Sequence, residues 1–467
     1  MIGKLRRTSL LAGGLLLLIA NGGAAQPRPS VQSTSVLMIS IDGMKPEAVT
    51  EADSHGLRVP YLRSMMRDGS YAEGVTGVWP TVTYPSHTTL LTGVWPSEHG
   101  IYANTLFDPE RKLDGAWSWY ADQIRVQTLW QAAREAGLRT ASIGWPVSVG
   151  APVDYLIPEY WRSNDTGGST NPSDRELIAA LSHPDGLLAE LQQRVGPYMM
   201  GNETTVGGDE IKTRSAIEIL RADKPALMTL HLSALDESEH EHGPFSPEAN
   251  QVLEAIDGMV ARLAAAARES NPNAVILIVS DHGFVQLTHR VNLTIPFVKA
   301  GLIQLGAASE AGPRRIAAWK AQLWMTGGMA AVELHDVNDA QTARQVSELL
   351  HTLATDPANG IDSILTGDEI RRRGGFPDAS FLVVLKSGYY TGSEDTGNVV
   401  TDFRGHGGHG FSPDFPEMRA SFFLAGPGIA AHRDLGQIDM RQIAPTVAAI
   451  LNLRLSNAKA EPLHVKP

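Results

Sequence analysis

The segment NAVILIVSDHG, residues 273–283, is the clearest strand in the sequence and the one that decides the fold. An unbroken apolar run of this length is typical of a strand buried on both faces, as in a parallel sheet. The run ends on polar residues, among them Asp281 and His282. Because α/β proteins bind ligands outside the carboxyl ends of their strands, the segment predicts an α/β fold with functional residues at this end.

Two other apolar runs end in the same way. SVLMISIDG, residues 35–43, ends at Asp42, and PALMTLHLSALD, residues 225–236, ends at Asp236. The intervening sequence contains amphipathic helical patterns at residues 126–138, 207–223 and 247–270. This alternation predicts a doubly wound sheet with helices on both faces, in which the three carboxylates converge at one edge.

A candidate nucleophile lies in WPTVTYPSHTTLLTGVWPSEHGIYAN, residues 79–104. A polar turn opens a predicted helix at Thr83, and Pro85 suits the first helical turn, where the amide it lacks has no partner. The free N–H groups and the dipole at a helix N-terminus favour an alkoxide and any phosphate near it. Thr83 therefore becomes a nucleophile if the chain supplies a group that activates it.

Histidines accompany the strand-end carboxylates. Packed carboxylates repel one another, whereas carboxylates interspersed with neutral imidazoles form ligand sets for divalent cations. The chain has no Cys, which excludes disulfides and thiolate ligands and favours zinc or a similar cation. The histidines concerned are His240 and His242 after Asp236, His282 after Asp281, and His406 and His409 in RGHGGHGFSP.

The size and charge of the chain limit its partners. It has 467 residues, of which 43% are hydrophobic, and a formal net charge of −12. The size accommodates a large α/β core with a smaller second unit. A groove for polymeric nucleic acid is not expected, because basic patches drive that binding. A small phosphorylated substrate remains compatible, since bound cations reverse the local field.

The N-terminus has the three-part layout of a secretory signal peptide. Arg6 and Arg7 precede an apolar run over residues 10–20, and small residues follow. The run is shorter than the roughly 20 residues that span a bilayer. We therefore expect a signal peptide over residues 1–25, no integral membrane segment after its cleavage, and a secreted, periplasmic protein.

The strand–helix alternation weakens in the second half of the chain. Short amphipathic pieces between residues 291 and 397 lack polar strand ends, which predicts a small inserted α+β subdomain. The catalytic core is then expected to comprise residues 26–290 and 398–467.

Five motifs in order resemble the nucleotide pyrophosphatase/phosphodiesterase family of the alkaline phosphatase superfamily. They cover nearly all of the mature chain, and the resemblance implies an alkaline-phosphatase-like α/β fold. The motifs are DGM at 42–44, TYPSHTTLLTG with WPSEHGIYAN over 83–104, D-x-x-x-H-x-x-GP at 236–244, SDHG at 280–283 and HGF at 409–411.

The resemblance implies a two-zinc site. One cation would be held by Asp236, His240 and His409. The other would be held by Asp42, Asp281 and His282, with Thr83 Oγ1 as its nucleophilic ligand. Two such cations lower the pKa of the hydroxyl and stabilise both the phosphoryl and the leaving oxygens. The implied reaction is hydrolysis of phosphodiester or pyrophosphate bonds through a covalent phospho-threonine.

The resemblance also implies substrate-binding residues. Asn104 matches the family's oxyanion-stabilising Asn, with its side-chain N–H directed at a phosphoryl oxygen beside the backbone N–H of Tyr84. Tyr84 matches the aromatic residue that stacks on a nucleobase. Tyr160 is a candidate for the second face of that stack, with Trp161 as its rival.

Departures from the family pattern leave substrate preference open. Ser86 replaces an Asn, HGFSPD replaces an HGYDN-like segment, and His406 rivals His409. The alternatives are an alkaline phosphatase acting on monoesters and a phospholipid-headgroup phosphodiesterase. The segment ASIGWPVS, residues 141–148, lacks the Lys and Arg of Thr-dependent monoesterases, which favours a diesterase, with Arg162 as the reservation. The Cys/Ser-x-Pro-x-Arg setting of sulfatases is missing, and a non-catalytic scaffold would not retain every ligand and the nucleophile.

Overall fold

The computed structural model describes residues 33–113, 116–161, 172–198, 204–307 and 314–467. The predicted signal peptide and Arg162 lie outside these ranges, so both expectations stay predictions. In the part of the chain that is described, no helix is both long enough and apolar enough to cross a bilayer.

The described helices vary widely in length. They are α1 (Glu47–Thr50), α2 (Pro60–Asp68), α3 (Thr83–Thr92), α4 (Pro96–His99), α5 (Leu129–Glu135), α6 (Pro172–Leu181), α7 (Leu187–Val195), α8 (Val206–Asp223), α9 (Ala234–His242), α10 (Pro247–Ser270), α11 (Thr294–Lys299), α12 (Ala340–Thr355), α13 (Gly367–Arg372) and α14 (Ile443–Ile450).

The described strands form one large sheet and several small ones. They are β1 (Ser35–Ile41), β2 (Ser70–Tyr71), β3 (Gly74–Thr76), β4 (Thr140–Ile143), β5 (Tyr155–Ile157), β6 (Leu227–Leu232), β7 (Ala274–Val279), β8 (Val285–Gln286), β9 (His289–Val291), β10 (Ile303–Leu305), β11 (Ile316–Trp319), β12 (Ala321–Met325), β13 (Met329–Leu334), β14 (Ile361–Thr366), β15 (Phe381–Leu385), β16 (Tyr389–Thr391), β17 (Val400–Asp402), β18 (Gly407–Gly408), β19 (Phe422–Ala425), β20 (Arg433–Asp434) and β21 (Gln437–Asp439).

The large sheet is mixed and has the strand order β20-β2-β19-β7-β1-β6-β4-β5. The run from β7 to β5 is parallel, and β19 lies antiparallel to β7. The three apolar runs that predicted the sheet are thus neighbours, because β1 pairs with β6 on one side and β7 on the other. Their carboxyl ends meet at one edge, as parallel pairing requires.

Both faces of the large sheet are buried, because successive side chains of a strand point to opposite faces. In β1, Leu37 and Ile39 belong to a core with α8 and α10, whereas Val36 and Met38 belong to a core with α5 and α14. Helices therefore cover both faces, as predicted for a doubly wound sheet.

A second, four-stranded sheet lies in the C-terminal half, with the antiparallel order β12-β13-β15-β14. One face packs on α12 through Val346 and Leu350. The other face packs with Trp79 and Ala103, which bracket the segment that begins α3. The second sheet therefore packs against both ends of the segment that carries the candidate nucleophile. The boundaries at residues 291 and 397 stay predictions.

Candidate active site

Thr83 is the first residue of α3, and the preceding Val82 is extended. His87, one turn further along the helix, donates from Nδ1 to the carbonyl oxygen of Thr83 over 2.8 Å. The same Nδ1 lies 3.6 Å from Asp281 Oδ2. Burial lowers the pKa of His87 to about 4, and the nearby His231 adds to this effect, so the ring is neutral. His87 thus connects the turn that carries Thr83 to a strand-end carboxylate.

The first candidate metal-binding group is Asp42, Asp281 and His282, the set predicted to share one cation. One ligand atom from each lies within 4.8 Å of the others. All three side chains are buried. His282 Nε2 lies 3.0 Å from Asp281 Oδ2 and 3.4 Å from Asp42 Oδ1, yet none of these three atoms has a hydrogen-bond partner. Three buried polar atoms that converge without hydrogen bonds fit a binding site for a cation.

Electrostatics support the same interpretation. Burial raises the pKa of Asp42 well above its usual range, and the negative charges of Asp281 and Asp236 raise it further. Burial lowers the pKa of His282, but the charge of Asp281 outweighs this effect and raises the pKa to about 9. The carboxylates therefore favour a positive charge within the group formed by Asp42, Asp281 and His282. A divalent cation supplies more of that charge than a proton does.

The second candidate group is Asp236, His240 and His409, whose ligand atoms also lie within 4.8 Å of one another. His240 Nδ1 donates to the carbonyl oxygen of Gly407 over 3.2 Å, and His409 Nδ1 donates to that of Thr81 over 3.1 Å. A carbonyl oxygen can only accept, so each ring carries its proton on Nδ1 and presents the Nε2 lone pair. This arrangement is usual for histidines that bind metals.

The two groups are adjacent. The rings of His282 and His409 stack with their centroids 3.7 Å apart. Burial lowers the pKa of His409 well below its usual range, and positive charge on His282 and His240 lowers it further, which keeps the ring neutral. His406 stacks on Phe403 instead, and the His242 side chain is exposed. Of the two rivals, the structure therefore brings His409 into the cluster.

The local fold explains how Asp236 and His240 come together. The sequence predicted that Asp236 ends a strand, but β6 ends at Leu232 and Asp236 lies in the first turn of α9. The carboxylate of Asp209 accepts hydrogen bonds from the backbone N–H groups of Ser233 and Ala234, which caps this helix. Asp236 and His240 are four residues apart on α9 and therefore share one face.

Asn104 lies beside the nucleophile turn, but its contact differs from the predicted one. Its Oδ1 accepts a hydrogen bond from the backbone N–H of Tyr84 over 2.9 Å. That N–H was expected to donate to the phosphoryl oxygen next to the Asn104 amide. Instead it fixes the orientation of the Asn104 carboxamide and turns the NH2 group to the opposite side.

The ring of Tyr84, predicted to stack on a nucleobase, is buried against protein groups in this structure. Tyr84 is 1% exposed, and Trp117 packs edge-on against it with a centroid distance of 5.2 Å. Its hydroxyl donates to Glu159 Oε1 over 2.7 Å. The ring is therefore held among protein groups in this structure, and its stacking on a nucleobase stays a prediction.

The two candidates for the second face of the stack, Tyr160 and Trp161, pack against other aromatic residues. Tyr160 packs against Trp119 with a centroid distance of 5.1 Å, whereas Trp161 packs against Trp117 at 4.8 Å. Trp117, which the sequence analysis did not single out, is the aromatic residue that contacts Tyr84.

Two further residues beside the ligands were also missed. His231 Nε2 donates to Asp42 Oδ2 over 2.9 Å, and Glu159 Oε2 lies 3.1 Å from His231 Nδ1. Burial alone lowers the pKa of His231, but its hydrogen bonds with Asp42 and Glu159 outweigh this effect and raise the pKa to about 10. The available signal was a histidine inside the apolar run LMTLHL, which a buried strand tolerates only with partners.

The structure is an α/β fold with two candidate metal-binding groups, and comparison with known proteins gives its family. Residues 36–412 match the family model described as type I phosphodiesterase/nucleotide pyrophosphatase. The chain belongs to this family.

Individual relatives are distant. Human ectonucleotide pyrophosphatase/phosphodiesterase family member 1 is 24% identical over 267 residues, which are 55% of this chain and 24% of the relative. Human family member 7 is 26% identical over 299 residues, 62% of this chain and 56% of the relative. The chain thus spans about a quarter of the first relative and about half of the second.

Solved structures show the fold. Human ectonucleotide pyrophosphatase/phosphodiesterase 5 aligns with a TM-score of 0.62 at 19% identity, over 90% of this chain and 95% of that one. An inactive variant of the murine protein in complex with AMP aligns with a TM-score of 0.61 at 19% identity, over 92% and 97%. The prediction of an alkaline-phosphatase-like α/β fold is confirmed.

Proposed function

We propose that this protein hydrolyses phosphodiester or pyrophosphate bonds in small nucleotide-like substrates, with Thr83 as the nucleophile and two divalent cations, zinc in the first instance, as cofactors. The observation that carries the proposal is the pair of ligand groups near the start of α3. His409 donates to the carbonyl oxygen of Thr81, and Asp281 lies 3.6 Å from His87, which donates to that of Thr83. Family membership supports the reaction class. The murine relative in complex with AMP supports a nucleotide-like substrate.

The residues present fit two cations. Asp42, Asp281 and His282 would hold one, and Asp236, His240 and His409 the other. The orphaned buried atoms Asp42 Oδ1, Asp281 Oδ2, His282 Nε2 and Asp236 Oδ1 are the evidence for this fit. When bound, such a pair supplies Lewis acidity that lowers the pKa of a nearby hydroxyl and neutralises phosphoryl charge.

Thr83 performs the covalent chemistry in this proposal. Its Oγ1 attacks phosphorus in line with the leaving oxygen, so that an Oγ1–P bond forms as the P–O bond to the leaving group breaks. The proton of the hydroxyl passes to solvent, and the leaving group departs with the electron pair of the broken bond. Water then attacks the phospho-threonine, releases the second product and restores the Thr83 hydroxyl.

Asn104 stabilises the charge that develops on the phosphoryl oxygen. Its Oδ1 is held by the Tyr84 N–H, so the NH2 group can donate without first reorganising. A pre-oriented donor of this kind contributes about 2.7–4 kcal/mol in other hydrolases.

Preference for a diester follows from the charges nearby. A monoester carries one more negative charge and is usually held by Lys or Arg. The segment at residues 141–148 contains neither. Lys212, which lies close to Gly144, is 5% exposed and donates to Asp209 and Ser233. Its charge is therefore balanced within the protein.

A paired rate measurement tests the proposed function. One zinc-loaded preparation is assayed with bis(p-nitrophenyl) phosphate and with p-nitrophenyl phosphate, and T83A is assayed beside it. We expect the diester to be cleaved faster and T83A to be inactive on both. Faster cleavage of the monoester contradicts the diesterase assignment and indicates an alkaline phosphatase.

The N-terminal pattern supports secretion to the periplasm as part of the same proposal. Fractionation of cells that express the whole chain tests it. N-terminal sequencing that finds residues 1–25 still attached to the exported protein would contradict the predicted cleavage.

A further inference from the structure

A chain of four buried polar side chains joins the residue after the candidate nucleophile to a candidate metal ligand. The Tyr84 hydroxyl donates to Glu159 Oε1 over 2.7 Å, Glu159 Oε2 lies 3.1 Å from His231 Nδ1, and His231 Nε2 donates to Asp42 Oδ2 over 2.9 Å. All four side chains are buried, and Glu159 is the most exposed of them at 8%.

The two oxygens of Asp42 have different environments. Oδ2 is anchored by His231, whereas Oδ1 lies 3.4 Å from His282 Nε2 with no hydrogen-bond partner. The anchor leaves a single oxygen of Asp42 directed at the group it forms with Asp281 and His282. A carboxylate held at one oxygen cannot rotate to offer the other.

His231 is itself held on its other side. Its Nδ1 donates to the carbonyl oxygen of Gly144 over 3.0 Å and to Glu159 Oε2 over 3.1 Å. Because the two ring nitrogens have partners in segments that follow different strands, the imidazole cannot turn without breaking buried hydrogen bonds. Glu159 in turn is fixed at Oε1 by Tyr84.

We propose that His231 and Glu159 are positioning residues, which hold Asp42 so that it presents Oδ1 alone to a cation and, through the Tyr84 hydroxyl, keep the start of α3 in register with that cation. The inference rests on the proposed two-cation function. It also gives the Tyr84 hydroxyl a positioning role, as the first member of the series of four buried side chains, instead of a role in stacking on a nucleobase.

Paired substitutions separate positioning from simple packing. H231A removes the anchor of Asp42, whereas H231Q keeps a side-chain amide that can donate towards Oδ2. E159A and E159Q make the same comparison at Glu159, which contacts His231 and not Asp42 itself. Y84F removes the hydroxyl and keeps the ring. Each variant is checked for folding by circular dichroism before titration.

The readout is cation affinity, measured by competition between the apo-protein and a chromogenic chelator with Zn²⁺ as the probe. We expect H231A to weaken one of two sites about 10- to 100-fold, the usual effect of losing a partner of a metal ligand. The other site should remain unchanged, and H231Q should recover most of the loss. E159A and E159Q should follow the same order with smaller changes.

Y84F adds a kinetic test with bis(p-nitrophenyl) phosphate and with a nucleotide diester. We expect kcat to fall about fivefold on both substrates with KM unchanged, as for the loss of one buried hydrogen bond. A rise in KM confined to the nucleotide substrate would indicate that Tyr84 recognises the base, and would overturn its proposed positioning role.

His99 provides the matched control. It is fully buried, and its ring contacts Thr89 Oγ1 and the backbone N–H of Ile101, none of which belongs to the buried chain of four. H99A should lower the free energy of unfolding and leave both cation affinities unchanged. If H231A does not fold, the Glu159 pair and Y84F decide the question.

D42N separates failure of this inference from failure of the proposed function. If the wild type binds two cations and D42N binds one, the two-cation site stands. In that case, the positioning role is overturned if H231A and E159A both bind the two cations as tightly as the wild type does. A wild type that binds no cation overturns the proposed function itself.

Discussion

At the scale of residues, the proposal depends on one hydroxyl at the start of a helix. Thr83 opens α3, and the carbonyl oxygen of this residue is tied through His87 to the Asp281 side of the ligand groups. The side chain therefore enters the site on a fixed backbone rather than on a free loop.

Substitution of Thr83 tests the nucleophile. T83A should lower kcat for a diester about a thousandfold or more, because the reaction then lacks its covalent step. T83S keeps a hydroxyl on the same carbon and should retain measurable turnover. Zn²⁺ stoichiometry of both variants is the control for an intact site, and wild-type turnover by T83A would remove the residue from the mechanism.

The two histidines of the glycine-rich segment form a second matched pair. H409A should lose one cation, since His409 Nε2 lies 3.7 Å from Asp236 Oδ1. H406A should keep both, because that ring stacks on Phe403. Elemental analysis after gel filtration measures the difference, and equal cation content in the two variants would show that the wrong histidine was chosen.

Residue chemistry predicted the ligands better than the substrate pocket. Several carboxylates interspersed with imidazoles form a ligand set for cations, so their types and spacing were informative. Tyr84 was assigned to nucleobase stacking from its place in a motif. That assignment did not consider that a buried phenol hydroxyl needs a hydrogen-bond partner, which is Glu159 in the structure. Nothing in the local sequence connects Glu159 with His231, which are 72 residues apart and meet through the fold.

At the scale of elements, α9 carries two of the six side chains and depends on a cap from another helix. Asp209 of α8 is fully buried and accepts hydrogen bonds from two backbone N–H groups at the start of α9 and from Lys212 Nζ. The sequence predicted a strand up to Asp236 and missed the start of α9. The residue that caps this helix, Asp209, lies on a different element, so nothing in the sequence next to α9 indicated where the helix begins.

Removal of this cap should cost stability. D209A leaves the buried Lys212 without its carboxylate partner, for which we expect a loss of about 3–5 kcal/mol in the free energy of unfolding. Urea denaturation followed by circular dichroism measures it. The control is D339A, which removes an exposed cap of α12 and should cost less. Equal losses would contradict the burial argument.

The turn after His409 depends on a glycine. Gly410 has φ of +81°, and a Cβ at this position would lie 2.0 Å from the carbonyl oxygen of Thr326, next to the β12–β13 hairpin. G410A should displace His409 and weaken one cation site. The matched control is G436A, which has φ of +66° but open space around its Cβ. Unchanged Zn²⁺ affinity in G410A would show that the turn adapts.

At the scale of the whole molecule, periodicity predicted the large sheet well. The apolar runs at β1, β6 and β7 are adjacent and parallel, and their ends converge. The outer part of the sheet could not be predicted, because β2 and β20 comprise two residues each and pair through long-range contacts. The packing of the second sheet against Trp79 and Ala103 is equally non-local.

Removal of the cations tests the whole assembly. The proposed reaction requires both ligand groups to be filled, so prolonged chelation should abolish diester hydrolysis, and added Zn²⁺ should restore it. Circular dichroism before and after chelation is the control for retained fold. Full activity in the chelated protein would contradict a metal-dependent mechanism.

The central claim is that this chain holds two divalent cations beside Thr83. The most direct test is elemental analysis of purified wild-type protein after Zn²⁺ loading and gel filtration, with protein concentration from amino-acid analysis. We predict two zinc ions per chain, one lost in D42N and the other lost in H409A. Fewer than two ions in the wild type, or full occupancy in both variants, would contradict the claim.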